Sequence, residues 1–123
     1  MAGGLLQMSP LAVIGVLRQS SHMTGVKCMA VLKALSEVNR LRIMRLLLNE
    51  QLGVNGIAER LGISQYNVSK YLRILKEAGL VEMQKSGKQR LYGVIPSLKD
   101  QLAANRNVLE LDCCTFRFDK LPK

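Results

Sequence analysis

Residues 54–92, VNGIAERLGISQYNVSKYLRILKEAGLVEMQKSGKQRLY, predict a helix, a tight turn, a second helix and a hairpin with a basic tip. Gly62 suits the positive-φ conformation that ends the first helix and turns the chain. Ser64 is the expected N-cap of the second helix, because its hydroxyl can accept a backbone hydrogen bond. Two helices joined by such a turn are typical of a helix-turn-helix, whose second helix enters the major groove of DNA.

The second helix of this pair has two chemically different faces. Its apolar residues recur at i, i+3, i+4 and i+7, the period of a helix that packs on a core: Val68, Tyr71, Leu72 and Leu75. The opposite face carries polar and cationic side chains that can reach base edges and phosphates. We therefore assign this face to DNA: Gln65, Tyr66, Asn67, Ser69, Lys70 and Arg73.

Two strand-like runs, 80–85 and 89–95, follow the second helix and are joined by Ser86-Gly87-Lys88. Their β-branched and aromatic residues and the glycine-containing connection predict a β-hairpin. A hairpin in this position is the wing of a winged helix. Its basic tip (Lys85, Lys88, Arg90) would lie along the DNA backbone or minor groove, where it adds salt-dependent affinity rather than sequence readout.

Composition agrees with a nucleic-acid partner. The 123 residues carry 18 Lys and Arg against 9 Asp and Glu, a formal net charge of +9. This excess favours an anionic partner, and nucleic acid is a better candidate than a membrane surface. A generally basic, solvated surface is the alternative on charge alone. The three cysteines, an odd number, indicate a reducing compartment, and the apolar run 11–17 is too short to span a bilayer. We expect a cytoplasmic protein with no membrane partner.

The flanking segments complete a mainly α-helical fold with one small β-hairpin. Helices are predicted over 25–37 and from Ser36, as N-cap, to Asn49. A last helix opens with Ser97 as N-cap, and its apolar side extends as far as Leu109. Residues 114–118 alternate in polarity and predict an extended segment that docks on its own protomer or on a partner. The expected division is an N-terminal extension (1–24, a short helix or a cloning remnant), a DNA-binding and dimerisation domain (25–110) and a cysteine-containing tail (111–123).

The segments KALSEVNRLRIMRLLL and IAERLGISQYNVSKYLRILKEAGLVEMQKSGKQRLY resemble the arsenical-resistance repressor family (ArsR/SmtB type), with Val38 where the family usually has proline. The resemblance implies a homodimeric winged-helix repressor that dimerises through its first and last helices and leaves its operator when an inducer binds. By position, the family's DNA-facing helix and wing correspond to Ser64, Gln65, Tyr66, Ser69, Lys70, Arg73, Lys88 and Arg90.

The family's best-known sensing sites are absent from this sequence. No cysteine lies at 54–59, where its thiol site would fall, and no histidine lies at 97–111, where its zinc site would fall. What remains is Cys113 and Cys114, with Cys28 on the first helix, and in the family's geometry Cys28 of one subunit would approach the pair of the other. No cofactor is required, and As(III) or another thiophilic metal ion is the leading inducer, because adjacent soft thiolates suit such ions.

Other readings of these cysteines stay open. Cys28 lies on an apolar helix and suits a packing role. The cysteines are also compatible with redox sensing, through a disulfide from Cys28 to Cys113 or Cys114 or through polysulfide, or with no sensing role. The leading hypothesis is a DNA-binding repressor switched at its thiols. A repressor without metal and a winged-helix interaction module that does not read DNA are the alternatives. An enzyme is not expected, since the sequence shows neither a paired acid and base nor a phosphate-binding glycine loop.

Overall fold

The structure, a computed structural model, describes residues 25–111 and 113–120. Within these ranges the chain forms five α-helices and two small antiparallel sheets, which confirms the predicted fold class. The expected extension, 1–24, lies outside the described residues. The elements in chain order are α1 (Gly25–Ala34), α2 (Val38–Leu47), α3 (Val54–Leu61), α4 (Gln65–Glu77), β1 (Val81–Ser86), β2 (Gln89–Val94), α5 (Pro96–Ala104), β3 (Val108–Glu110), β4 (Thr115–Arg117) and a 3-10 turn (Phe118–Lys120).

A single apolar core receives side chains from every described helix and from both sheets. Full burial of one such side chain contributes about 1.5–3 kcal/mol, so the core is the main source of stability. The apolar stripe predicted for α4 is confirmed, since its members are buried or half-buried. The buried core residues are Val31, Ala34, Leu35, Ile43, Met44, Leu47, Ile57, Val68, Leu72, Leu75, Leu80, Val81, Val94, Leu98, Leu102, Leu109 and Phe118.

The connection between α1 and α2 differs from the prediction. Helix α1 ends at Ala34, and the Ser36 hydroxyl donates to the carbonyl of Lys33 at 2.7 Å instead of capping α2. The N-cap is Glu37, whose carboxylate accepts from the backbone N–H of Arg40 at 2.9 Å. The predicted cap at Ser36 is therefore wrong, because the end of α1 already uses that hydroxyl.

The helix-turn-helix has the predicted local structure. Helix α3 ends at Gly62, which has a φ of 67° and sends its N–H to the carbonyl of Ala58. The Ser64 hydroxyl accepts from the backbone N–H of Asn67 at 3.1 Å and caps α4. Replacing Gly62 with a residue bearing a Cβ would strain this left-handed position. These two local signals set the path of the chain into α4.

Strands β1 and β2 pair in register from Val81 opposite Val94 to Ser86 opposite Gln89 and form the predicted wing. The base of the wing is fixed to the chain before α3. Leu52 and Tyr92 exchange backbone hydrogen bonds of 3.1 and 2.8 Å. Because paired backbone groups resist local opening, the hairpin is held against the helix-turn-helix rather than standing apart from it.

The C-terminal region is where the structure departs most from the sequence prediction. Pro96 occupies the first turn of α5 and Ile95 is its N-cap, so the predicted cap at Ser97 is wrong. The helix ends at Ala104, because Arg106 and Asn107 take positive φ values of 56° and 64°. The residues after this break form β3 and pair with β4, in the segment that was predicted to be extended.

The extended segment docks on its own protomer, as expected. Phe118 follows β4, is 2 % exposed and belongs to the core. Its backbone N–H donates to the carbonyl of Asn107 at 2.8 Å. Residues 113–120 are thus packed against the rest of the described chain rather than projecting from it.

Candidate nucleic-acid interface and cysteine site

The outer face of α4 is polar and accessible. The Tyr66 side chain is 77 % exposed, although aromatic rings are usually at least partly buried. Asn67 is half-buried and therefore presents less of its side chain than the other residues assigned to DNA. The exposed residues of the predicted DNA-facing set on α4 and at its cap are Ser64, Gln65, Tyr66, Ser69, Lys70 and Arg73. The structure therefore brings these side chains together on an accessible surface.

Helix α4 is fixed to α1 by Arg40, a role that sequence patterns did not reveal. The Arg40 Nε donates to the carbonyl of Ala34 at 2.6 Å, and its guanidinium carbon lies 5.8 Å from the centre of the Tyr71 ring. The ammonium of Lys70 lies at the same distance from that ring. A cation over an aromatic face is attracted by the ring quadrupole. Arg40 thus links the C-terminal end of α1 to the recognition helix.

Two other arginines near the helix-turn-helix serve the fold. Arg42 donates to the Leu61 carbonyl at the end of α3, at 3.0 Å. Arg60 forms an exposed ion pair with Glu50, and the hydrogen bond from Arg60 lowers the pKa of that carboxyl. Arginine at the C-terminal end of a helix is favoured by the helix dipole. These two cations have protein partners, and the positive charge predicted to face DNA lies on α4 and the wing.

The wing concentrates positive charge. Lys85 lies directly opposite Arg90 in the register, and both side chains are exposed, as is Lys88 at the tip. Like charges directly opposite each other in an antiparallel pair are destabilising. An anion between or beside them relieves the repulsion, so this tip is suited to a phosphate.

Replacing Lys88 and Arg90 with alanine is expected to weaken binding to specific and non-specific DNA by the same factor. Each lost phosphate contact should reduce the slope of log affinity against log salt by about 1. The measurement is fluorescence anisotropy of an operator duplex and a scrambled duplex over a salt series. The matched control removes two exposed charges elsewhere, with Lys99→Ala and Lys120→Ala. An unchanged slope in the wing variant would place the wing outside the interface.

The cysteines meet within one chain. Cys28 of α1 and Cys113, between β3 and β4, form a disulfide with a Cα–Cα distance of 6.2 Å. Cys28 is fully buried and Cys113 is exposed. The backbone N–H of Cys113 also lies 3.2 Å from the Cys28 sulfur. Cys114 keeps a free thiol, half-buried, with its Sγ 3.9 Å from that of Cys113.

This arrangement bears on two hypotheses. The family's geometry allowed Cys28 to approach the pair of the other subunit, and in this structure it reaches Cys113 of its own chain. A metal site at Cys28, Cys113 and Cys114 stays a prediction for the reduced protein, since two of those sulfurs are bonded to each other here. Among residues 25–111 and 113–120, no group of three or more His, Cys, Asp or Glu side chains is placed to hold a metal ion. A disulfide from Cys28 to Cys113 or Cys114 was one of the alternatives drawn from the sequence, which did not decide between them because 85 positions separate Cys28 from Cys113.

The exposed polar face of α4, its glycine turn and the basic wing define a winged helix-turn-helix protein of the DNA-binding class. In the described part of the chain, no helix is both long and apolar enough to cross a membrane. Residues 37–83 match the model of a family described as bacterial regulatory protein, arsR family.

Known proteins agree with this family match. The transcriptional activator HlyU of Vibrio cholerae is 32% identical over 60% of this chain and 68% of its own. Its reduced form has been solved and has a TM-score of 0.56 at 27% identity, covering 71% of this chain and 96% of that one. A probable mercury resistance operon repressor of Streptomyces lividans is 33% identical over 68% of this chain and 71% of its own.

A solved structure carries the same architecture in a dimer. The homodimeric winged helix-turn-helix domain of Mb0332 from Mycobacterium bovis, a possible ArsR-family regulator, has a TM-score of 0.59 at 30% identity. It covers 65% of this chain and 75% of that one. This chain belongs to the arsR family of bacterial regulatory proteins, which confirms the resemblance drawn from its sequence. It is a DNA-binding transcriptional regulator.

Proposed function

We propose that this protein is a homodimeric transcriptional repressor whose affinity for operator DNA is switched by thiol chemistry. The observation that carries the proposal is the disulfide between Cys28 and Cys113, which ties α1 to the C-terminal hairpin. In the reduced state α4 would read the major groove and the wing would contact the backbone. Formation of the disulfide would release the DNA. As a DNA-binding regulator, the protein would act in the cytoplasm.

A dimer and a repressing role are supported by the relatives. The Mb0332 domain is a homodimer, and the Streptomyces lividans relative is named a repressor, whereas HlyU is named an activator. On α1 the Met29 side chain is 59% exposed, which suits an apolar contact with a partner subunit. A two-fold dimer would present two α4 helices to half-sites about 34–36 Å apart, one turn of DNA.

The route from the cysteines to DNA runs through α1. Cys28 lies on α1, and Arg40 joins the end of α1 to Tyr71 of α4. A covalent link between α1 and the C-terminal hairpin would favour one spacing of the two α4 helices over another. This is a population shift between two dimer geometries, and its size is set by how differently each geometry fits DNA.

The test is retention of the protein on a fragment of its own promoter, reduced and then titrated with a mild oxidant. Oxidation is expected to weaken operator affinity about 5- to 150-fold, the usual range of coupling between two sites. The Cys113→Ser variant should bind as reduced wild type does and resist release. Cys114→Ser is the matched control and should still be released. Equal operator affinity of the oxidised and reduced wild-type protein would overturn the proposal.

Capture of As(III) is a second candidate, favoured by the closeness of the three sulfurs. After reduction, Cys28, Cys113 and the neighbouring Cys114 thiol would be soft ligands within one small region. Arsenite added to the reduced protein would then release DNA at near-stoichiometric amounts, and the double variant Cys113→Ser, Cys114→Ser would not respond. Release by oxidant alone would exclude this candidate. The exposed cationic face of α4 argues against an interaction module that does not read DNA.

A further inference from the structure

Cys114 takes no part in the disulfide, yet its sulfur lies 3.9 Å from the Cys113 sulfur. We infer that small thiols exchange with the disulfide at Cys113, and that Cys114 is the thiol that resolves the resulting mixed disulfide. This chemistry belongs to the proposed thiol switch and rests on it for its effect on DNA. The bonding state of each cysteine, however, can be measured in the absence of DNA.

Access decides which sulfur is attacked. In thiol–disulfide exchange a thiolate must reach one of the two bonded sulfurs. The side chain of Cys28 is 0% exposed, while Cys113 is exposed between β3 and β4. The only bonded sulfur that an incoming small thiolate can reach from solvent is therefore that of Cys113.

The first step makes Cys28 the leaving group. The sulfur of the small thiolate bonds to the Cys113 sulfur, the bond between the two protein sulfurs breaks, and its electron pair goes to the Cys28 sulfur, which then takes up a proton. The backbone N–H of Cys113 lies 3.2 Å from the Cys28 sulfur and is placed to stabilise negative charge on it as the bond breaks.

The second step uses Cys114. Its thiolate attacks the Cys113 sulfur of the mixed disulfide, a Cys113–Cys114 bond forms, and the small thiol leaves as a thiolate into solvent. Neighbouring Cα atoms are about 3.8 Å apart, shorter than the usual disulfide span of about 4.4–6.8 Å. The adjacent disulfide is consequently reducible, and a further thiol opens it. Cys114 thus shortens the life of the adduct and speeds the passage to the reduced protein.

The experiment follows reduction of the oxidised full chain by glutathione. Samples are quenched with acid, free thiols are alkylated, and tryptic peptides are mapped by mass. Cleavage at Lys27 and Lys33 separates Cys28 from the peptide 107–117, which holds both other cysteines. Fragmentation then distinguishes Cys113 from Cys114. Wild type is compared with Cys114→Ser, with Thr115→Ala as a control on the neighbouring exposed residue.

In Cys114→Ser, glutathione should accumulate on Cys113 while Cys28 becomes alkylated. In wild type the amount of glutathione on Cys113 should be about tenfold lower than in Cys114→Ser. This holds when the glutathione concentration is kept below the effective concentration of the tethered Cys114 thiol, which is in the millimolar range. The control variant should match wild type. Glutathione found on Cys28, or equal adduct in wild type and Cys114→Ser, would overturn the inference. If the oxidised and reduced proteins bound the operator with equal affinity, the proposed switch would be overturned. The exchange at Cys113 and its resolution by Cys114 would still stand.

Discussion

Replacing Phe118 with alanine is expected to lower the free energy of unfolding by about 3–5 kcal/mol, the range for large aromatic truncations in a core. Phe118 is 2% exposed and lies in the same core as the helices. Truncation removes its apolar contacts and leaves a cavity under the C-terminal turn. Urea unfolding of the reduced protein, followed by circular dichroism, measures the change without the contribution of the disulfide.

Phe116→Ala is the matched control for this prediction. Its ring stacks on that of Phe118 with centroids 6.3 Å apart, but it is only half-buried at the edge of the core. We expect less than half the loss seen for Phe118, because less apolar surface returns to water. Similar losses of unfolding free energy for the two variants would mean that residues 113–120 cover the core without a fixed position for the Phe118 side chain. No loss in either would mean that residues 113–120 do not dock in solution.

The second large effect concerns sequence-specific binding to DNA. Replacing both Gln65 and Ser69 with alanine should reduce operator affinity about 100-fold, because each good base contact contributes about 1–3 kcal/mol of discrimination. Both side chains are exposed on the outer face of α4. Non-specific affinity should hardly change, because the phosphate contacts predicted for Lys70, Arg73 and the wing would remain. Titration of operator and scrambled duplexes at one salt concentration gives the ratio of specific to non-specific affinity.

The control for this pair removes the same residue types from another helix. Ser97→Ala with Gln101→Ala alters exposed positions of α5, and Ser97 makes no capping hydrogen bond there. This variant should keep the operator-to-scrambled ratio of wild type. If the α4 variant lost affinity equally for both duplexes, Gln65 and Ser69 would be contacting the backbone rather than base edges. Thermal unfolding of both variants excludes a folding defect as the cause.

The helix-turn-helix and the wing were predictable because their signals are local. Gly62 supplies the left-handed turn, Ser64 caps α4, and the stripe through Val68 and Leu72 sets which face is buried. Each signal acts within one or two turns of the chain, where sequence spacing translates directly into position. The residues predicted to face DNA lie on the opposite side of the same helix, and all of them except the half-buried Asn67 are exposed.

The N-caps of α2 and α5 and the structure of the C-terminal region could not be predicted from local sequence signals. Ser36 and Ser97 were both plausible caps, but the Ser36 hydroxyl is used by α1 and Pro96 already fits the first turn of α5. Apolar residues that extend a helical pattern as far as Leu109 instead lie in a strand, because the positive φ values at Arg106 and Asn107 break the helix. Pairing with β4 and burial of Phe118 favour that break over local helix propensity.

The amino-acid sequence by itself determined the class of fold, the exposed polar face of α4 and the basic wing, because period, turn and charge are properties of short segments. Tertiary structure alone decided that Arg40 binds α1 to α4 and that Cys28 meets Cys113 within one chain. The Arg40 contacts join α1, α2 and α4, and the disulfide joins residues 85 positions apart. Both depend on how the elements pack around the whole core, which no local pattern records.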